Sequence, residues 1–427
     1  MVEFVRSFGA KVAFSDQNMG ATPKLSQMRR LYDYVDNHGY SSHPSFPVNS
    51  WKLPSALKQS SPVSGPHPVP WHLPASRLLD KPFTVTEFDY AKPNIYRACG
   101  PSLIGAIGAY QNWDMLVQFA FSHGRENFMR DDRVTNHFDL STDCVKNIAH
   151  RLGTSFFLDG VKPADKSFAV LLSEDKYVPF GAEYNVEISQ LAQLAKVGTF
   201  IVGKDGDLSK LPADTAGVID IGVGFPDDYK GKYPVFKSVK GSNTLIRDII
   251  KAGLLPAECY DAKTQTCRSA DGQIMLARHK GIFAAASAQC EAVVLPAKKS
   301  GKAALLEVNN KIGHGVFGLI SVDRKPLRES GRMLLLHLTD TQATKAKYSS
   351  DKMTMMEKWG NTPFLAAKGE AKITINLNPD KYALYAVNTA GERLHEVKFS
   401  GKDRKISFNA AVFTKSGAVF AYELTAK

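Results

Sequence analysis

The residues most able to do chemistry cluster in "PFTVTEFDYAKPNIYRACG", Pro82 to Gly100. Phe83 to Thr86 have the texture of a short buried strand, and that strand delivers a carboxylate, Glu87, beside Phe88 and Tyr90. A surface glutamate needs no such setting, whereas catalytic residues of barrel enzymes sit at the carboxyl ends of parallel strands. Upstream, "YDYVDNHGY" is a second strand candidate, and His38 and Tyr40 are two residues apart, so both can face one cleft. A structural histidine satisfies the same spacing. Asp16 and Asn18 end an earlier strand candidate, "KVAFSDQN", and Asp89 follows Glu87. His38 and His43 share "HGYSSH" but bring no fixed carboxylate, which is poor evidence for zinc; no metal or cofactor is expected.

These residues imply the elements that carry them. Over the first 130 residues strands alternate with helices. "KVAFSDQN", "YDYVDNHGY", "PFTVTEF" and "DMLVQFAFSH" are strands, and "KLSQMRRLYDYV" is helical, with Leu25, Met28, Leu31 and Tyr32 at helical spacing. This is the grammar of a parallel sheet covered by helices. A long loop rich in Pro, Ser and His, Ser41 to Pro74, interrupts it and carries Trp51 and Trp71. Beyond Asn127 the texture changes: "STDCVKNIAHRLGTSFFL" is an amphipathic helix, and a mixed region of strands and short helices follows. From Gly272 onward strands dominate, separated by turn signals such as "NPD" and "SGKD", as in an antiparallel β-sandwich or two small β-modules.

Composition bounds the function. The chain has 427 residues, 44% hydrophobic and 22% charged, enough for two or three domains. The net charge of +12 is spread without a block of like charges, and no nucleic-acid-binding motif accompanies it, so no nucleic-acid partner is expected. No apolar run approaches the roughly 20 residues of a membrane span. The start lacks the pattern of a secretion signal. Cys259 and Cys267 flank a polar loop and could pair in an exported protein, or they could be isolated buried thiols; the compartment is left open. Phosphate-binding loops, dinucleotide-binding fingerprints and the serine-hydrolase elbow are missing from the sequence.

"FTVTEFDY", the earlier "DNHGY" and the later "YQNWDMLVQFAFSHG" together resemble the second half of a clan A glycoside hydrolase barrel. "SVDRKPLRESGRMLLLHLTD" and "EKWGNTPFLAAKGEAKITI" resemble the terminal β-domain of bacterial enzymes of that kind. The resemblance implies the C-terminal half of a (β/α)8 TIM barrel over residues 1–135 (strands five to eight), a mixed α/β middle region over 136–271 and a C-terminal β-rich domain over 272–427. It implies a retaining hydrolase of O-glycosidic bonds in oligo- or polysaccharides, with Glu87 as nucleophile. His38 and Tyr40 would bond sugar hydroxyls or Glu87, and Asp16 and Asn18 would make further polar contacts. Trp113, Trp51 and Trp71 would stack on sugar faces, although Trp113 serves equally as core. The clan's acid/base, usually in an Asn-Glu pair at the end of strand four, has no counterpart here, because Glu3 is in a helical stretch. The expectation is therefore an N-terminally truncated version with doubtful activity by itself. The alternative is a non-catalytic carbohydrate-binding or structural β-domain protein with a vestigial barrel.

Overall fold

The computed structural model describes residues 2–65, 67–70, 72–130, 132–415 and 417–427. Near the amino end, helix α1 (Pro23–Arg29) starts at Thr22, whose side chain accepts from the Leu25 amide, with proline at the first helical position. Strands β1 (Val35–Ser41), β2 (Phe83–Tyr90) and β3 (Met115–Gln118) form a parallel sheet in the order β1-β2-β3. Helix α2 (Gly100–Tyr110) joins β2 to β3 and is buried on every side, as its near-unbroken apolar sequence requires. Helix α3 (Cys144–Asp159) is capped by Asp143, whose carboxylate accepts from the Lys146 amide. Gly105 of α2 meets Gly153 of α3 so closely that a Cβ on the first would collide with the carbonyl of the second.

A second parallel sheet follows: β4 (Ser167–Ser173), β5 (Lys196–Val202), β6 (Thr215–Asp220) and β7 (Val235–Lys237), in the order β5-β4-β6-β7. β4 is buried along its whole length, which explains the continuous apolar run "FAVLL".

A ten-stranded antiparallel sheet dominates the rest of the chain. At its centre lie Ala421–Ala426, Arg332–Leu338, Gly315–Ser321 and Cys290–Leu295, each paired with the next. Its outermost strands on one side, Thr266–Arg268 and Tyr260–Asp261, come from before Gly272. One face meets a four-stranded antiparallel sheet containing Leu306–Ile312, Glu370–Ile375 and Ile406–Ala411, through Phe317, Leu319, Val308, Ile373 and Phe408. The other face receives α3: Ala149, Leu152 and Phe156 join Ala292, Val294 and Val316 in one cluster, and Leu152 fills the space above Gly318. Each such fully buried Leu or Phe contributes roughly 1.5–3 kcal/mol, so α3 fixes the small sheet, through α2, to the large one.

This architecture overturns the expected half-barrel. Only three parallel strands stand where four were expected, the sheet is open, and the largest unit is antiparallel. Lys11 to Asn18, expected as a strand, pairs with no strand. Its groups are used singly: the Phe14 carbonyl accepts from the amides of Asp33 and Tyr34, Asn18's accepts from His38, and Asp16 is gripped by Arg29. The segment is thus held by isolated bonds to Asp33, Tyr34, His38 and the buried Arg29, none of which forms part of a ladder. All five cysteines are free thiols. Among the described residues no helix is long and apolar enough to cross a membrane.

Candidate functional site

The carboxyl ends of β1 and β2 build the site. Asp36 pairs with Thr84, but His38 pairs with Glu87, so the register slips by one between them. The β2–β3 register slips between Val85 and Phe88 as well. Both neighbours thus find one extra residue in β2, a bulge at Thr86 and Glu87. The bulge breaks strict alternation and lets both side chains reach toward β1. Thr84 and Thr86 donate their hydroxyls to Asp36, at 2.6 and 2.5 Å, and the Thr86 amide adds a third bond to the same buried carboxylate.

From that anchor the contacts lead outward to Glu87. His38 Nε2 lies 3.1 Å from Thr86 Oγ1, and its Nδ1 lies 3.1 Å from Glu87 Oε2. The single hydroxyl hydrogen of Thr86 goes to Asp36, so the bond to His38 needs a hydrogen on Nε2. Tyr40 donates its hydroxyl to the same Oε2 of Glu87. Burial, then the neighbouring Glu87, pushes the Tyr40 phenol well above its ordinary value, so it remains a donor. His72 donates from Nε2 to the His38 carbonyl at 2.7 Å and so braces β1 from behind. Burial pushes its pKa down.

Glu87 is 30% exposed and faces a cavity of about 530 Å³. Tyr40, His43, Trp51, Phe119 and Phe138 give this cavity aromatic walls, and Met19, Gly20 and Ala21 close one side. His43 stands edge-on to Tyr40, ring centres 5.3 Å apart, with its Nδ1 donating to the Pro44 carbonyl. Among the described residues that line the cavity, Glu87 alone carries a carboxylate. No group of three metal-ligating side chains occurs among the described residues.

Glu87, His38, Tyr40 and Trp51 therefore meet. Trp51 stands at the rim, 66% exposed, with its ring centre 4.9 Å from that of Phe46. The other expected site residues are placed elsewhere. Asp16 is held by Arg29, with oxygens 3.0 and 3.1 Å from Nε. Asn18 touches the site only through its carbonyl, which accepts from the His38 amide at 2.9 Å. Trp113 is 4% exposed and packs against Phe83 in the core, so it is no stacking platform. Trp71 lies outside the described residues. Asp89 is buried against Lys146 Nζ, 2.8 Å from both carboxylate oxygens, and Gln118 donates to it.

Six lining residues escaped the sequence reading: Met19, Gly20, Ala21, His72, Phe119 and Phe138. Phe119 follows the last strand of the small sheet in "FAFSH", where alternation alone could have flagged it. Phe138 and His72 lie in segments without periodicity and carried no signal. Comparison of the chain with protein-family models and with curated proteins finds no match.

Proposed function

We propose that the Glu87 cavity performs the nucleophilic step of retaining glycoside hydrolysis. In that step a Glu87 oxygen attacks the anomeric carbon, the glycosidic C–O bond breaks, and the sugar remains on Glu87 as an ester that water later cleaves. The observation that carries this reading is the carboxylate itself. It is held on a strand end by Tyr40 and His38, and it opens into a cavity with aromatic walls. A nucleophile must be kept in one orientation, and two contacts on one oxygen leave the other to attack. Aromatic rings suit the C–H faces of a sugar.

Retaining hydrolysis uses a second carboxyl group about 5 Å from the first as acid and base. None lines the cavity among the described residues, so the chain alone should act only on leaving groups that depart unprotonated. That same observation favours a second reading, a cavity that binds carbohydrate without cleaving it.

A panel of 2,4-dinitrophenyl 2-deoxy-2-fluoro glycosides separates the two. Their leaving group needs no acid, and fluorine slows hydrolysis of the ester. The expected result is a glycosyl adduct on the peptide containing Glu87, absent in Glu87→Gln, with azide releasing it as the glycosyl azide of retained configuration. A folded protein that forms no adduct with any sugar of the panel has the non-catalytic function.

A further inference from the structure

The cavity lined by Phe46 and Trp359 shares Trp51, Phe119 and Phe138 with the Glu87 cavity and is part of the site already described. A separate cavity, of about 520 Å³, opens in the second parallel sheet. There the chain passes from β4 to β5 on one side, then crosses to β6 and β7 on the other, so the winding reverses between β4 and β6. Open α/β sheets bind ligands in the crevice outside the carboxyl ends of their strands at such a reversal. This cavity occupies that position. Ile221 and Val223 follow the end of β6, Lys240 and Gly241 come after β7, and Gly181 to Val186 lead from β4 into helix α4 (Val186–Leu191).

Its walls are tied to one another by the protein itself. Asn185, the cap of α4, donates from Nδ2 to the carbonyls of Val239 and Ser242, at 2.8 and 3.3 Å. The buried Glu187 accepts from the Leu245 amide at 3.0 Å, at the start of helix α5 (Leu245–Lys251). Two more bonds fix the floor, where the buried Tyr184 hydroxyl meets Ser26 and Thr199. His67 closes the side formed by the long loop, with Nδ1 3.2 Å from Ser189 Oγ. Burial pushes its pKa down to about 4, so the ring is neutral at pH 7. The remaining lining is apolar at Ala182, Val186, Ile221 and Val223 and carries one charge of each sign, Glu183 and Lys240. Both charged residues are exposed, and among the described residues neither side chain has a hydrogen-bond or ion-pair partner.

Ligand sites are concave and mostly apolar, with a few polar groups that fix orientation. Here those groups are a carboxylate and an ammonium above an apolar floor. An ion of one sign would meet one of them as a like charge, and a hydrocarbon would use neither. The Asn185 bond holds residue 185 against residue 239, so Glu183 and Lys240 stand on adjoining walls. The ammonium and carboxylate of an α-amino acid likewise stand on one carbon. We propose that this crevice binds a free α-amino acid with an apolar side chain. Its ammonium faces Glu183, its carboxylate faces Lys240, and its side chain rests on Val186, Ile221 and Val223. The site shares no residue with the Glu87 cavity and does not depend on how that cavity is read.

Calorimetric titration of the full chain with valine, leucine, isoleucine, methionine and phenylalanine tests this. At least one should bind saturably at one site, and its N-acetyl and carboxamide derivatives, each lacking one charge, should bind more weakly. Glu183→Gln and Lys240→Met should each weaken the amino acid by about three- to fivefold, the size of an exposed ion pair, and together by about tenfold. Both side chains are exposed, so the thermal midpoint of the unliganded chain should not move. Exchanging the two charges, Glu183→Lys with Lys240→Glu, should recover part of the affinity, which loss of fold would not allow. The proposal fails if no amino acid of the panel binds the folded chain at millimolar concentration. It fails equally if the derivatives bind as tightly as the zwitterion, or if both single variants bind as tightly as the parent.

Discussion

Tyr40→Phe is the sharpest perturbation of the site. It deletes one hydroxyl, the donor to Glu87 Oε2, and keeps a ring that stands edge-on to His43, Phe138 and Phe119 at 5.3, 5.5 and 6.2 Å. A hydrogen bond to a charged acceptor contributes about 1.5–3 kcal/mol. Glu87 is 30% exposed, so water replaces part of the lost bond and the lower half of that range applies, roughly 1.5–2 kcal/mol. At about 1.4 kcal/mol per tenfold, covalent trapping by a 2-deoxy-2-fluoro glycoside should slow by about 10- to 30-fold. If Tyr40 positions the carboxylate, the loss falls on the maximal trapping rate, while the half-saturating reagent concentration stays put. The melting temperature should hardly move, because packing is conserved. Trapping at the parent rate by a folded variant would show that His38 alone orients Glu87. A faster rate would refute the reasoning more deeply, since it would mean that the bond restrains a carboxylate already in place.

Three further outcomes follow from the frame around the site. Arg97 is 1% exposed, binds Asp143 and Asp340 and donates to the Thr341 carbonyl, so Arg97→Met removes the ion partner of the fully buried Asp143 and of Asp340, which is 13% exposed. Denaturant unfolding should show a loss of about 3–5 kcal/mol, and a loss below about 1 kcal/mol would mean that both carboxylates find water. Burial raises the Asp89 carboxyl to about 6 even though Lys146 pulls it down. The folded value then lies above the roughly 3.9 of an unfolded aspartate, so its stabilising contribution is complete below about pH 4 and is lost as pH rises through about 6. Lys146→Met removes the main opposing influence, so the variant's deficit should grow between pH 5 and pH 8; a deficit independent of pH would contradict this. Gly105→Ala drives a methyl into the Gly153 carbonyl and should cost about 1–3 kcal/mol in chemical unfolding, whereas a neutral result would show that α2 and α3 can separate without penalty.

What could be read from the sequence was local. Glu87 was found because "FTVT" is a strand pattern and the next residue is acidic, and His38 and Tyr40 because residues two apart share a strand face. Those rules need only a few neighbours. The bulge that brings Thr86 and Glu87 to one side left no trace in the sequence, although it decides that Glu87 rather than Thr86 reaches the cavity. The fold was misread for the same reason. "KVAFSDQN" has the apolar content of a strand, but the buried guanidinium of Arg29 claims Asp16, the Gln17 carbonyl and the Met19 carbonyl, and tertiary contacts override local propensity. Trp113 looked like a platform because tryptophan suits both sugar and core, and only its contact with Phe83 decides between them.

The cavity walls were the least legible part, and their origin bears on what the site selects. Trp51 comes from the long loop, Phe119 from the end of the small sheet, Phe138 from the segment before α3, and Trp359 from the C-terminal half. No periodicity relates these stretches. Their meeting depends on α3 being clamped between α2 and the large sheet, and on the pairing of Ser55–Ala56 with Met355–Met356. The carboxylate is thus set by two adjacent strands, while the surface facing a ligand is set by the assembly of the whole chain. Substitutions in the distant strand pair should therefore alter which ligand binds before they alter how Glu87 is held.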